Sequence, residues 1–77
     1  RKDIYTEEYL RKLGLNERQI KAVMYVKEKG RINLSDYESI IGGVSSKTLY
    51  RDLQELTEKG ILRAIGDKKG RVYVLNK

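Results

Sequence analysis

The stretch of residues 44–62 constrains the fold most, because it has the pattern of one helix with both ends marked. Ser45 is a good N-cap, since its hydroxyl can accept a hydrogen bond from one of the first free backbone N–H groups. Gly60 can adopt the left-handed conformation that ends a helix, and Ile61 then falls where a Schellman motif brings an apolar residue against Leu56. We therefore predict a helix that begins after Ser45 and stops at Gly60.

The side chains of this helix divide into two faces. At about 100° per residue, one narrow apolar stripe contains Leu49, Leu53 and Leu56, which is typical of a core-facing side. The adjoining side, which we call the polar face, consists of Ser46, Lys47, Tyr50, Arg51 and Gln54. Its cations, hydroxyl, amide and phenol suit phosphates and base edges. Solvated helix faces are also often charged, so the face alone does not decide between binding and solvation.

Length and composition predict one small domain. A chain of 77 residues buries only about 60% of its unfolded surface, so its core must be compact. The 39% hydrophobic and 36% charged content is typical of a globular domain with a highly charged surface. There is no apolar run of membrane-spanning length and no signal-peptide pattern, so we expect a cytoplasmic protein with no membrane-spanning segment. Because the first residue is Arg and not Met, we expect a module of a longer protein.

The absence of Cys and His removes most enzymatic chemistry. The chain has no thiol nucleophile, no imidazole base, no disulfide and none of the usual zinc ligands. Carboxylates remain, but many stand among Lys and Arg at helical spacing, as solvated helix faces do: Glu7, Glu8, Glu17, Glu28, Glu55 and Glu58. We predict no catalytic residue, no metal site and no cofactor.

The net charge of +6 and the pI near 9.7 indicate a polyanionic partner, either nucleic acid or a membrane surface. The excess is uneven along the chain. Residues 44–77 carry eight Lys/Arg and four Asp/Glu, whereas residues 1–43 carry nine and seven. The more cationic half is thus the half that contains the helix with the polar face.

Two helices are predicted before residue 31. In residues 1–15 Thr6 can cap a short helix that Gly14 ends, and this arm could pack against the body or be the stub of a linker. The next helix is better marked, because Asn16 and Gln19 form a capping-box pattern and Gly30 supplies a stop. Leu15 and Ile20 occupy the two positions of a hydrophobic staple.

A short strand and a second short helix should follow. Residues 31–33 could form a single edge strand, and Ser35 with Glu38 three positions later predicts a new helix start. The apolar side of that helix would be Leu34, Tyr37, Ile40 and Ile41. Residues 42–43, both Gly, end it, so it must turn sharply into the helix after Ser45, which is the spacing of a helix-turn-helix.

After Gly60 the pattern becomes extended. Residues 61–65 and 71–75 favour β-structure on either side of residues 66–70, a loop with Gly at both ends. We predict a β-hairpin. Its basic residues Lys68, Lys69 and Arg71, close in sequence to a cationic helix, favour contact with phosphate.

The order of helix, short strand, helix, tight turn, helix and basic hairpin is that of a winged helix-turn-helix. Residues 44–62 resemble the signature of DeoR-type regulators, with a Val-Ser, a Thr, an Arg-Asp-Leu, a further Leu and a Gly before two apolar residues. Together with residues 15–19 and 70–75, the chain is similar to the winged helix appended to transcriptional regulators that have a divergent helicase-like ATP-binding region. The resemblance covers residues 15–75. The chain departs from it at residues 42–43, where those relatives usually carry one small residue.

The resemblance implies an α+β winged helix-turn-helix, with a short N-terminal helix in residues 1–15 and a three-helix core plus C-terminal hairpin wing in residues 16–77. It implies sequence-specific binding of double-stranded DNA as the module of a prokaryotic transcriptional regulator. The polar face would match the recognition helix, and Lys68, Lys69 and Arg71 would match the wing. The paired half-sites read by the family imply a homodimer held by regions outside this chain.

Two other functions are compatible with the same residues. A winged helix can also serve protein contact, or act as the accessory DNA-binding domain of an ATP-driven enzyme. We expect Asp52, which stands between Arg51 and Leu53, either to pair locally with a neighbouring cation or to bond within the domain, because a carboxylate facing phosphate would be repelled.

Overall fold

The computed structural model describes residues 5–67 and 70–76. These residues form four helices and two strands: α1 (Glu7–Lys12), α2 (Glu17–Lys29), α3 (Leu34–Ile41), α4 (Ser46–Glu58), β1 (Leu62–Ile65) and β2 (Val72–Leu75). The fold is a small α+β one in which an antiparallel hairpin follows the helices. The predicted order of the four helices and the hairpin is confirmed for this part of the chain.

Three helices begin where the sequence predicts, because their caps are local: the N-caps are Thr6, Asn16 and Ser45. The fourth predicted helix, α3, also forms, but its predicted start is wrong. Its N-cap is Asn33, whose side-chain oxygen accepts from the N–H of Asp36 at 2.7 Å, while the Asp36 carboxylate accepts from the N–H of Asn33 at 3.3 Å. This reciprocal capping box starts the helix at Leu34, ahead of the predicted cap at Ser35.

The stop of α4 is a complete Schellman motif, as predicted. Gly60 has φ 80, and its N–H donates to the carbonyl of Thr57 at 3.0 Å. The N–H of Ile61 donates to the carbonyl of Leu56 at 3.0 Å, and both of these apolar side chains are buried. Carbonyls at the end of the helix are thereby satisfied within the chain.

One hydrophobic core joins all the elements. The stripe of α4 is fully buried, which confirms the helical phase read from the sequence: Leu49, Leu53 and Leu56. Leu10 of α1 is also fully buried in this core. The N-terminal helix therefore packs against the body, which the sequence left open.

The sheet consists of the hairpin and one further residue. β1 and β2 pair antiparallel, from Leu62 opposite Leu75 to Ile65 opposite Val72. Between α2 and α3, Ile32 forms a β-bridge with Tyr73 through two backbone bonds of 2.9 and 2.7 Å. The predicted edge strand thus reduces to one bridge residue, which attaches the hairpin to the helices.

The turn between α3 and α4 depends on two adjacent glycines. Gly42 has φ 66° and Gly43 has φ 69°, a backbone conformation that residues with a Cβ rarely adopt. Both positions therefore favour Gly, and this explains why the chain has a pair there. The sharp connection predicted between the two helices is confirmed.

Candidate nucleic-acid interface

The structure places the whole polar face on the outward side of α4. The side chains of Ser46, Lys47 and Arg51 are exposed, Tyr50 is 40% exposed and Gln54 is half-buried. Because the apolar stripe of the same helix is fully buried, this face cannot turn inward. α4 therefore presents two cations, a phenol and an amide to its surroundings on a rigid element.

The first residue of this face is already hydrogen-bonded within the protein. The hydroxyl of Ser46 donates to the carboxylate of Glu38, which is half-buried on α3. No local pattern predicts this contact, because Glu38 also fits a capping box with Ser35. The Glu38 carboxylate thus lies at the start of the polar face, where no acidic group was predicted from the sequence.

Arg71 lies directly before β2 and is half-buried. Its Nε atom is buried and has no hydrogen-bond partner among the described residues. Burial raises the pKa of the Tyr73 phenol, and the neighbouring Arg71 guanidinium opposes that rise. Tyr50 of α4 also contributes to the raised pKa of Tyr73, and β1 packs against α4, so the hairpin lies beside the helix that carries the polar face.

Two of the predicted phosphate contacts, Lys68 and Lys69, lie outside the described residues. The residues next to them form part of a polar groove of about 380 Å³ between the start of α3 and the start of β2. Asn33, Ser35 and Glu38 line it from α3 and its N-cap, and Gly70 and Arg71 line it from the hairpin. One carboxylate and one guanidinium thus share a groove beside the polar face.

Asp52 lies behind the polar face and is only 4% exposed. Its carboxylate accepts from Arg18 Nε at 2.7 Å and Nη2 at 3.2 Å, and from the Tyr37 hydroxyl at 3.1 Å. A longer contact of 3.4 Å comes from Asn16 Nδ2. Of the two alternatives predicted for Asp52, bonding within the domain is confirmed, and its partners Arg18 and Tyr37 lie on other helices.

This carboxylate connects three helices, since its partners lie on α2 and α3 and on the N-cap of α2. Burial, and secondarily the Asp52 charge, raise the pKa of the Tyr37 phenol, so that Tyr37 stays a neutral donor. The hydrogen bond to Asp52 raises the pKa of Arg18. Gln19, also buried, donates to Glu55 at 2.9 Å and to the Asp52 carbonyl at 3.2 Å. The orientation of α4 is thus fixed from inside the domain.

The surface formed by α1, α2 and α3 differs from the polar face. A groove of about 480 Å³ has an apolar lining that includes Ile20, Met24 and Ile40, and Glu residues of α1 and α2 also line it. One of these, Glu17, accepts from Arg11 Nε at 3.0 Å, and this contact lowers the pKa of Glu17. The pair is solvent-exposed, as the sequence predicted for this carboxylate, and such pairs contribute little stability.

The described Asp and Glu residues do not gather into a group of three that could hold a metal ion. None of the four helices combines the length and apolarity that a membrane crossing requires. Comparison of the chain with protein-family models, curated proteins and solved structures finds no match. The proposed function therefore depends on the chemistry of the described surface.

Proposed function

We propose that the protein binds double-stranded DNA through the polar face of α4, as the winged helix-turn-helix module of a prokaryotic transcriptional regulator. The observation that carries this proposal is the exposed polar face on a helix whose opposite stripe is fully buried. A B-DNA major groove, about 12 Å wide, admits an α-helix presented in this way. In this geometry Lys47, Tyr50, Arg51 and Gln54 face base edges and the flanking phosphates.

Charge supports the same partner. The chain carries +6, and phosphate neutralisation by Lys and Arg supplies most of the affinity of DNA-binding proteins. The carboxylate of Asp52, adjacent in sequence to Arg51, is turned into the domain and hydrogen-bonded there. A backbone phosphate approaching Arg51 therefore does not meet an exposed acid from the neighbouring position.

The hairpin supplies the second contact in this proposal. β1 of the hairpin packs against α4, and Arg71 interacts with the Tyr73 phenol at the base of the hairpin, so a duplex that engages α4 would also pass the hairpin. Lys68 and Lys69, in the connection between β1 and β2, would meet phosphate and act as the wing. Since phosphate contacts carry no sequence information, the wing contributes affinity and α4 contributes selectivity.

Protein contact is less well supported as the main function of this surface. Among the described residues, the large apolar side chains that are most exposed lie at three different elements: Tyr9 on α1 with Leu13 at its C-cap, Tyr50 on α4 and Ile65 on β1. Protein interfaces have a contiguous core from which charged residues are depleted. The polar face, with two cations among its five residues, has the opposite character.

The partner class is tested by fluorescence-anisotropy titration of the protein against random duplex DNA, single-stranded DNA and RNA. We expect the tightest binding to duplex DNA, with affinity falling steeply as salt rises. A duplex site selected from a random library should bind more tightly than random duplex. Equal and weak binding to all three nucleic acids would contradict the proposal and favour protein contact.

The surface is tested by substitution. Arg51→Ala should weaken binding to the selected site by about 1 to 3 kcal/mol, because a base contact is lost. Lys68→Ala should weaken binding to all duplexes alike and lower the magnitude of the salt slope by about one. The control is Lys21→Ala, which removes the same charge from an exposed position on α2 that lines the other groove. If Arg51→Ala and Lys68→Ala both bind as the parent does, the polar face and the wing are merely solvated surfaces.

A further inference from the structure

Glu38 is the one acidic side chain that contacts the polar face from α3. Its carboxylate accepts the hydroxyl proton of Ser46, the first residue of α4. It makes no ion pair with any described Lys or Arg. An acid without a cationic partner therefore lies on the surface that we propose for DNA.

The position of Glu38 follows from the fold. The two glycines with positive φ turn the chain so that the last turn of α3 faces the beginning of α4. The partial positive charge at a helix N-terminus favours a carboxylate there. The hydrogen bond from Ser46 fixes one oxygen of Glu38, and a carboxylate retains further acceptor positions for another donor.

A carboxylate at this point selects among the groups of a DNA duplex. It repels phosphate, so the backbone cannot pass over it. In the major groove it can accept only from an amino group. Guanine presents two acceptors there, thymine presents an acceptor and a methyl group, and adenine presents an acceptor beside its amino group. Cytosine alone offers its amino group without a neighbouring acceptor on the same base.

We infer that Glu38, contributed by α3 and not by α4, is a specificity-determining residue that selects cytosine at the base position facing the start of α4. This inference rests on the DNA-binding function proposed above. Two cations accompany the Glu38 carboxylate. Lys47 follows Ser46 in the sequence, and Arg71 lines the same groove as Glu38. They can hold the phosphates on either side, while Glu38 reads the base between them.

The test is selection of binding sites from a random duplex library with the parent and with Glu38→Gln. The parent should select cytosine at one position with about tenfold preference. A Gln amide has both a donor and an acceptor and pairs with the two adenine groups. The variant should therefore lose the preference for cytosine and gain a preference for adenine at that position. On random duplex at low salt the variant should bind about fivefold more tightly, because one repulsive charge is gone.

Glu58→Gln is the matched control, since it removes the same charge from an exposed position at the far end of α4. It should leave the base profile unchanged. Glu38→Ala is a second variant that should lose the preference for cytosine without gaining one for adenine. Thermal melts verify that each variant is folded.

An unchanged base profile in both Glu38 variants, with a lowered melting temperature, would overturn the inference and leave Glu38 as a group that only stabilises the start of α4. If the parent binds duplex DNA but selects no base at any position, the inference falls and the DNA-binding proposal stands. If the parent binds no duplex at all, the proposed function falls and the inference falls with it.

Discussion

Asp52 follows Arg51 in the sequence, yet the two side chains have opposite environments. Arg51 is exposed, while Asp52 is buried and accepts hydrogen bonds from Arg18 and Tyr37. The reason is the helical period, since a step of about 100° carries the chain from the polar face to the edge of the core. Hydrogen bonds to a charged group contribute about 1.5 to 3 kcal/mol each, so this residue is central to stability.

Asp52→Ala should lower the free energy of unfolding by about 3 kcal/mol, because it leaves the buried Tyr37 hydroxyl without an acceptor and Arg18 without its counter-charge. Asp52→Asn keeps one acceptor oxygen and should lower the free energy of unfolding by less. Urea denaturation at pH 7 measures both, with Glu58→Ala as the exposed control on the same helix. A variant as stable as the parent would mean that the carboxylate is solvated.

Tyr37 should make the protein sensitive to alkali. Burial raises its pKa in the folded state above the usual value near 10, so the unfolded chain releases the proton first. Its contribution to stability is present below about pH 10 and falls by up to about 1.4 kcal/mol per pH unit above it. The stability difference between the parent and Tyr37→Phe should therefore shrink between pH 9 and 11 in urea titrations. A constant difference would show that the phenol titrates normally.

A bond of Asp52 within the domain is one of the two alternatives predicted from the sequence, because an acid beside Arg51 would repel phosphate, but its partners could not be predicted. The sequence pattern assigns no role to Arg18, and it places Tyr37 on an apolar helix side. Their polar ends meet Asp52 only because three helices pack together, and no local pattern encodes that packing.

At the scale of elements, helix boundaries were predictable wherever a single cap was available. The stop at Gly60 needed only the residues of the last turn and the two that follow it. The start of α3 offered two overlapping capping boxes, Asn33 with Asp36 and Ser35 with Glu38. The first one forms, and Glu38 instead receives the Ser46 hydroxyl from α4, which is a tertiary contact.

Gly60→Val should destabilise the protein by about 1 to 2 kcal/mol or more, because a β-branched residue is strained at φ 80. An added Cβ would meet no atom within 4 Å, so the expected loss is conformational and not steric. Calorimetry should show a lowered melting temperature. Lys59→Val is the control, since Lys59 is the neighbouring exposed residue and has φ −77°. An equal loss in both variants would mean that the left-handed stop is unimportant.

At the scale of the whole molecule, α1 belongs to the same core as the other elements. Leu10→Ala should therefore lower the free energy of unfolding of the entire protein by about 2 to 5 kcal/mol. Leu13→Ala removes a side chain at the C-cap of the same helix that is 37% exposed, and it should lower the free energy of unfolding much less. Calorimetry should show one transition for each variant. A Leu10 variant with a separate early transition would mean that α1 folds and unfolds independently of the body.

The bridge between Ile32 and Tyr73 has a consequence for the order in which the structure can be completed. The helix caps and the hairpin join residues that are near neighbours in the chain, whereas this bridge spans α3, α4 and the hairpin connection. Closing the longer loop loses about 1.5 kcal/mol more chain entropy than closing the hairpin. Synthesis runs from the amino terminus, so all four helices have been made before Tyr73 joins the chain. A nascent chain can therefore have every helix boundary in place and still lack the attachment that orients the hairpin beside α4.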